Sequence, residues 1–370
     1  MTRPVEPAMH GGMTGLEAGD TAGNYLLFAQ VEAAVRSPDY ETLARAVAED
    51  QVVLAFLDRL PSAKRQPNLL FASARAVLGE PATPATLHDL VAQRPALLRH
   101  VMASRRTQTN EAARCAVLLP ALALLDGPLA LLEVGAAAGL TLFPDVYSYD
   151  YEGRFLAGID GEAPVLQCRA IGPVPIPSRL PDVVWRAGID LQPLDVTDDD
   201  DVAWLSCLVW PGEADRSERL EQAVAAVRKR PPTIHRGDLL DDLHQVSAEV
   251  PPGATLVVYH SAVLAYVSEE KRRAFASAVS ELGALWLSNE GDGVLNCIGV
   301  GLRAPGSFLL VRDGHEVLAK TDPHGTWIEW LDEPRGSPPD QPSPRSGQAE
   351  VVTSGRMMRP PLTPTSRTGP

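Results

Sequence analysis

The run Leu129-Ala130-Leu131-Leu132-Glu133-Val134, followed by Gly135-Ala136-Ala137-Ala138-Gly139 and then Leu140-Thr141-Leu142, constrains the fold more than any other part of the chain. An apolar run ends in an acid, and two glycines bracket three alanines. The pattern reads as a buried strand, a tight small-residue turn and the start of a helix. Such a turn lets backbone N–H groups approach a ligand at a helix N-terminus, as α/β sheets do for adenosyl cofactors and nucleotides. The same small residues also suit tight strand–helix packing with no ligand. The turn points to a cofactor pocket and names no substrate.

Composition narrows the function classes. At 370 residues and 45% hydrophobic, the chain can bury a core of one or two domains. A formal net charge of −14 argues against a nucleic-acid-binding surface, and the densest basic runs are only Arg105-Arg106 and Arg228-Lys229-Arg230. Cys115, Cys168, Cys207 and Cys297 are scattered, which gives neither a disulfide framework nor a zinc pattern, and no metal site is expected. The first 23 residues lack the apolar core of a signal peptide, and no apolar run is long enough to span a bilayer. A cytoplasmic protein without membrane or nucleic-acid partners is expected; the oligomeric state is not readable.

Four segments are expected: a loose tail over 1–22, a helical domain over 23–126, a sheet-containing domain over 127–332 and a disordered tail over 333–370, which is rich in Pro, Ser, Gly and Arg. In the helical part, Ser37-Pro38-Asp39 is a helix start, and further helices are expected at Asn68–Leu78, Thr86–Met102 and Thr109–Leu125. Beyond Pro128, short apolar runs alternate with amphipathic segments, the signature of a mostly parallel sheet. Strands are expected at Leu129–Val134, Val183–Ile189, Thr233–Arg236, Thr255–His260, Ala284–Ser288 and Cys297–Leu302, with a hairpin of Phe308–Val311 and Glu316–Lys320. Helices are expected at Leu140–Tyr147, Asp200–Val209, Ser217–Lys229 and Ser268–Leu282, and the Pro- and Gly-rich stretch between Tyr147 and Pro181 reads as an inserted loop or hairpin.

Three acids stand at strand ends: Glu133, Asp190 in Gly188-Ile189-Asp190-Leu191, and Asp238 in His235-Arg236-Gly237-Asp238-Leu239. A lone buried carboxylate is costly unless something engages it. This order of Glu, Gly-rich turn, Asp and Asp resembles the class I S-adenosylmethionine-dependent methyltransferases. The resemblance implies a Rossmann-like, methyltransferase-type sheet in which Glu133, Gly135, Gly139, Asp190 and Asp238 bind S-adenosylmethionine. Asp160 is an alternative ribose-binding acid, since it follows the turn at the ordinary spacing of about 20 residues. A P-loop is excluded because Leu140 follows Gly139, and the G-x-G-x-x-G fingerprint fails at Ala137.

The polar run Arg105-Arg106-Thr107-Gln108-Thr109-Asn110-Glu111, with Arg114, precedes an apolar helix that Thr109 would cap. It reads either as a solvated helix start or as the lining of a substrate pocket, with Asn110, Glu111 and Arg114 orienting the acceptor. His260 ends a strand where open α/β sheets bind ligands and is a candidate general base, although a core-edge histidine fits equally. Glu290 ends the next strand and would line the same cleft.

From about Phe28 to Leu331 the chain is similar to a largely actinobacterial family known as domain of unknown function 2332. The matching pieces are Arg106-Thr107-Gln108-Thr109-Asn110-Glu111 with Arg114-Cys115, Leu131 through Leu140, Tyr149-Asp150-Tyr151, Arg186 through Leu191, Trp204-Leu205, Val209-Trp210-Pro211, Gly237-Asp238 and His260 through Tyr266. The family often has serine where Ala137 stands and asparagine near Thr141, so a polar contact at the turn is expected to be missing here. The resemblance implies no reaction. The expected function is S-adenosylmethionine-dependent methyl transfer to a small molecule; the alternatives are a non-catalytic Rossmann-like protein binding a nucleotide or a partner, and an enzyme using the polar turn and His260 with another cofactor.

Overall fold

Prolines punctuate the N-terminal helices. The computed structural model of the protein describes residues 20–108 and 110–331. Its first helix runs from Thr21 through a π-helical stretch at Ala29–Ala33 to Arg36, starting inside the expected loose tail. Helices Pro38–Glu49, Pro67–Leu78, Pro84–Gln93 and Pro95–Ser104 all begin on proline, whose fixed φ and missing N–H suit a first turn. Pro95 also splits the expected Thr86–Met102 helix, because Arg94 ends one helix and opens the next. The helix expected from Thr109 begins only at Arg114 and ends at Leu122. Thr109 itself, and the expected tails over 1–19 and 332–370, lie outside the described residues.

Twelve strands follow among the described residues: β1 (Leu129–Val134), β2 (Ser148–Tyr151), β3 (Arg154–Leu156), β4 (Val165–Gln167), β5 (Arg169–Ile171), β6 (Val183–Asp190), β7 (Thr233–Arg236), β8 (Thr255–Ser261), β9 (Leu285–Gly291), β10 (Phe308–Arg312), β11 (Glu316–Thr321) and β12 (Trp327–Trp330). Nine form one mixed sheet in the order β5-β12-β11-β10-β9-β8-β1-β6-β7, and β3-β2-β4 form a small second sheet. Strands β7, β6, β1, β8 and β9 are all parallel, and β10, β11 and β12 continue as an antiparallel meander. The chain moves outward from β1 to β7, then returns to β8 on the other side of β1. A crevice at the carboxyl ends of such strands is where open sheets bind ligands.

β1 is buried along its whole length. Leu129 and Leu131 face one core with Tyr147, Tyr149, Tyr259 and the N-terminal helices, while Leu132 and Val134 face another with Val246, Phe275 and Val279. The helical third and the sheet therefore share a core and lie in one compact unit. Helices Asp199–Leu208, Ala214–Arg228 and Glu269–Glu281 fall where the sequence pattern places them.

Two expected elements are absent. Gly135, Ala137 and Gly139 all have positive φ (73°, 52° and 72°), so the turn winds tightly and leaves through a single 3-10 turn, Leu140–Leu142, instead of a helix to Tyr147. Pro144 then blocks helical continuation. The expected strand Cys297–Leu302 is a 3-10 turn, Asn296–Ile298, ended by Gly299 at φ 103°. Two of its apolar residues pack without pairing to the sheet, Val300 in the second core and Ile298 against it, while Leu302 is exposed. The insertion after Tyr147 contains the β2–β3 hairpin, turned by Glu152-Gly153, both with positive φ. Among the described residues, no helix is long and apolar enough to cross a membrane.

Candidate functional site

The polar run before Arg114 lies on the glycine turn and bonds to it. Asn110 bridges the turn: its Nδ2 donates to Ala136 O and its Oδ1 accepts from Leu140 N, each at 3.1 Å. Gln108 Nε2 donates to Asp190 Oδ1 and to Gln192 O. Four of the turn's five N–H groups find acceptors in the same place. Gly135 and Ala136 donate to Ile189 O, Ala137 to Asp190 Oδ2, and Gly139 to Ala136 O. A Cβ on Gly135 would collide with both methyls of Val263, and one on Gly139 with Pro232 and Ile234.

These contacts decide how the expected cofactor residues stand. Both Asp190 oxygens accept protein donors. Asp238 pairs with Lys271, which holds its carboxyl low against the upward push of burial, and also accepts from Leu240 N. Asp160, the alternative ribose acid, pairs with Lys229. Glu133 is buried against Thr141 Oγ1, its one hydrogen-bond donor, and its Oε2 has no partner among the described residues. Burial pushes its carboxyl up to about 8, outweighing the opposing hydrogen bond from Thr141 and the charge of Arg114. As arranged here, Asp190, Asp238 and the N–H groups of Gly135, Ala136, Ala137 and Gly139 are engaged by the protein and Val263 lies against Gly135, an arrangement that leaves little room for S-adenosylmethionine at the turn. Glu133 alone of the three acids keeps an oxygen without a partner among the described residues.

The tightness of that contact predicts a measurable coupling. Gly135→Ala should destabilise the protein by about 2–4 kcal/mol, through positive-φ strain and overpacking. In a urea-denaturation cycle with Val263→Ala, the double variant should be more stable than the sum of the single effects by about 1 kcal/mol or more. Additive effects would mean that Val263 does not occupy this space.

His260 does not line a cleft. It is fully buried, and Trp286 Nε1–H donates to its Nε2 at 3.0 Å. Indole nitrogen only donates, so His260 carries its proton on Nδ1 and donates it to Glu290 Oε1 at 2.7 Å. With both nitrogens engaged, His260 positions Glu290 and cannot reach a ligand as a base. Val263 N and Leu264 N donate to the same Oε1 at 2.8 and 2.9 Å. Glu290 Oε2 has no partner among the described residues.

Glu290 lines a cavity of about 180 Å³ between the polar turn, the first helix and the ends of β8, β9 and β10. Asn110, Glu111 and Arg114 line it too, whereas none of the expected cofactor residues does. Glu111 is only 5% exposed; burial would push its carboxyl up, but Arg216 and Arg219 hold it below the usual range. Arg216 also pairs with Glu213, which pairs with Arg36. Arg114, 4% exposed, differs from these arginines. Its Nε donates to Pro323 O and its Nη1 to Ser261 O, both neutral carbonyls. Among the described residues it has no ion pair with any carboxylate. Burial lowers its proton affinity, partly offset by the nearby charge of Glu111.

Residues 22–330 match the model of a family described as an uncharacterized protein conserved in bacteria, DUF2332. The chain belongs to this family. No curated protein and no solved structure matches the DUF2332 chain. Arg216 and Val263 are site residues that sequence reasoning did not single out for this DUF2332 chain. Arg216 stands 105 residues from Glu111, and nothing in its local spacing ties the two together.

Proposed function

We propose that the protein binds a small carboxylate-bearing molecule in the cleft between the polar turn and the ends of β8 and β9. The observation that carries this reading is Arg114: a buried guanidinium lining the cavity, hydrogen-bonded among the described residues only to carbonyls. A buried cation without an anion is costly, and a ligand carboxylate would offset that cost through a charge-assisted hydrogen bond. Asn110 would fix the floor of the cleft through its grip on the glycine turn, and Glu290 would present a second polar group. Calorimetric titration with 4-methylpentanoate or 3-phenylpropionate is expected to show saturable binding that Arg114→Gln weakens about tenfold or more. Arg114→Lys, which keeps the charge, serves where the glutamine variant fails to fold. Absence of saturable binding to both acids, or binding unchanged in both variants, would overturn the reading.

A second reading is methyl transfer on a Rossmann-like, methyltransferase-type sheet. It is favoured by the parallel strand order, third-second-first-fourth-fifth along the sheet, with acids at the ends of the first two strands. Because the glycine turn is closed by Val263 and Asn110, titration with S-adenosylmethionine and S-adenosylhomocysteine, beside NAD and ATP, is expected to give no binding. Selective micromolar binding of the first pair would favour this second reading instead.

A further inference from the structure

Two polar groups of opposite charge border the same cavity, and each keeps one atom unengaged by the described protein. Arg114 presents Nη2, since Nε and Nη1 are held by Pro323 O and Ser261 O. Glu290 keeps Oε2 buried and without a partner among the described residues, since Oε1 takes all three donors from His260, Val263 and Leu264. Glu290 is 1% exposed and Arg114 4%, so neither is a solvated surface charge. They make no ion pair with each other among the described residues. A ligand with only a carboxylate would satisfy one and leave the other. The other arginines bordering this cleft, Arg36 and Arg216, already pair with Glu213 and Glu111. The cavity wall between these groups includes Leu208, Leu220, Val294 and Phe308, which suits an apolar body.

Resting on the carboxylate-binding reading above, we propose that the ligand class is an amino acid with an apolar side chain, its carboxylate on Arg114 and its ammonium on Glu290. The Trp286–His260–Glu290 chain then has a defined role. It holds Oε1 in place so that Oε2 faces the ammonium, and His260 is a positioning residue for this contact.

The test compares L-leucine with 4-methylpentanoate, which lacks the amine, and with 3-methylbutylamine, which lacks the carboxylate. A parallel series uses L-phenylalanine, 3-phenylpropionate and 2-phenylethylamine, all titrated calorimetrically against the full chain. In at least one series the amino acid is expected to bind about tenfold or more tighter than either analogue. Glu290→Gln keeps an acceptor for the three donors and removes the charge, so it should erase that advantage, while the carboxylate-only affinity holds or rises because a negative charge near Arg114 is lost. Glu32→Gln alters a carboxyl on the helical wall of the same cavity and should leave the preference intact. Equal binding of amino acid and desamino acid in both series overturns the amino-acid assignment but spares the carboxylate site. A preference that survives Glu290→Gln, or is lost in Glu32→Gln, removes Glu290 as the ammonium partner. If no carboxylate binds, the cleft reading itself fails, and this inference with it.

Discussion

Replacing Glu133 by glutamine is expected to stabilise the protein above neutral pH and to flatten its alkaline stability limb. In the fold this carboxyl titrates near 8, against about 4.5 in an open chain. Folding therefore takes up a proton between these two values, and stability falls as pH rises from about 4.5 to about 8, then levels off. From about pH 5 to about pH 9 the loss is on the order of 4 kcal/mol, because a tenfold difference in proton affinity between folded and open chain corresponds to about 1.4 kcal/mol. Glutamine cannot ionise, and its carbonyl can still accept from Thr141 Oγ1. Urea denaturation across this range should show the wild type losing stability while Glu133→Gln changes little. An undiminished decline in the variant would assign the titration to another group. A variant weaker at every pH would mean that the carboxyl itself is needed at the end of β1.

The same residue shows what local sequence carries and what it does not. β1 was legible to its ends because a run that is apolar except at Glu133 is bounded by Gly127-Pro128 on one side and Gly135 on the other. The β10–β11 hairpin is announced by Asp313-Gly314, both with positive φ. The use made of the glycine turn was not legible, because its partners are remote: Asn110 lies 26 residues before Ala136, and Asp190 lies 53 after Ala137. A turn that can cradle a ligand and one that cradles the chain's own asparagine share the same local pattern. The late start of helix Arg114–Leu122 has the same cause, since Gln108 and Asn110 bond to the sheet edge instead of opening a helix. β12 was missed because it is short and half-exposed, and it pairs with β5 across more than 150 residues, Trp327 opposite Arg169. His260 was placed correctly at a strand end; its burial depends on Phe275 and Trp286, which only the assembled sheet brings beside it.

Replacing Glu111 by glutamine is expected to destabilise the protein by about 3–5 kcal/mol, because it leaves a buried arginine cluster without one of its two anions. Arg36, Glu213, Arg216, Glu111 and Arg219 form one chain of ion pairs, and Glu111 bonds Arg216 at 2.7 Å and Arg219 at 2.8 Å. Arg216 would keep Glu213; Arg219 would have no carboxylate partner among the described residues. The cost should shrink when Arg219 is also replaced by glutamine, which a double-mutant cycle in urea would measure. In the wild type, Glu111 stays ionised because the arginines outweigh its burial, so its contribution is present above its open-chain value near 4.5 and is lost as pH falls through its lowered folded value. Its acid limb is thus opposite in sign to the alkaline limb set by Glu133. The network also explains why Arg114 is the cation left for a ligand: the neighbouring arginines are neutralised within the protein. Removing Glu111 should therefore add positive potential to the cleft, and carboxylate affinity in the folded variant should hold or rise while stability falls. Affinity that drops with stability unchanged would make Glu111 a ligand-contacting group and overturn its assignment to the network.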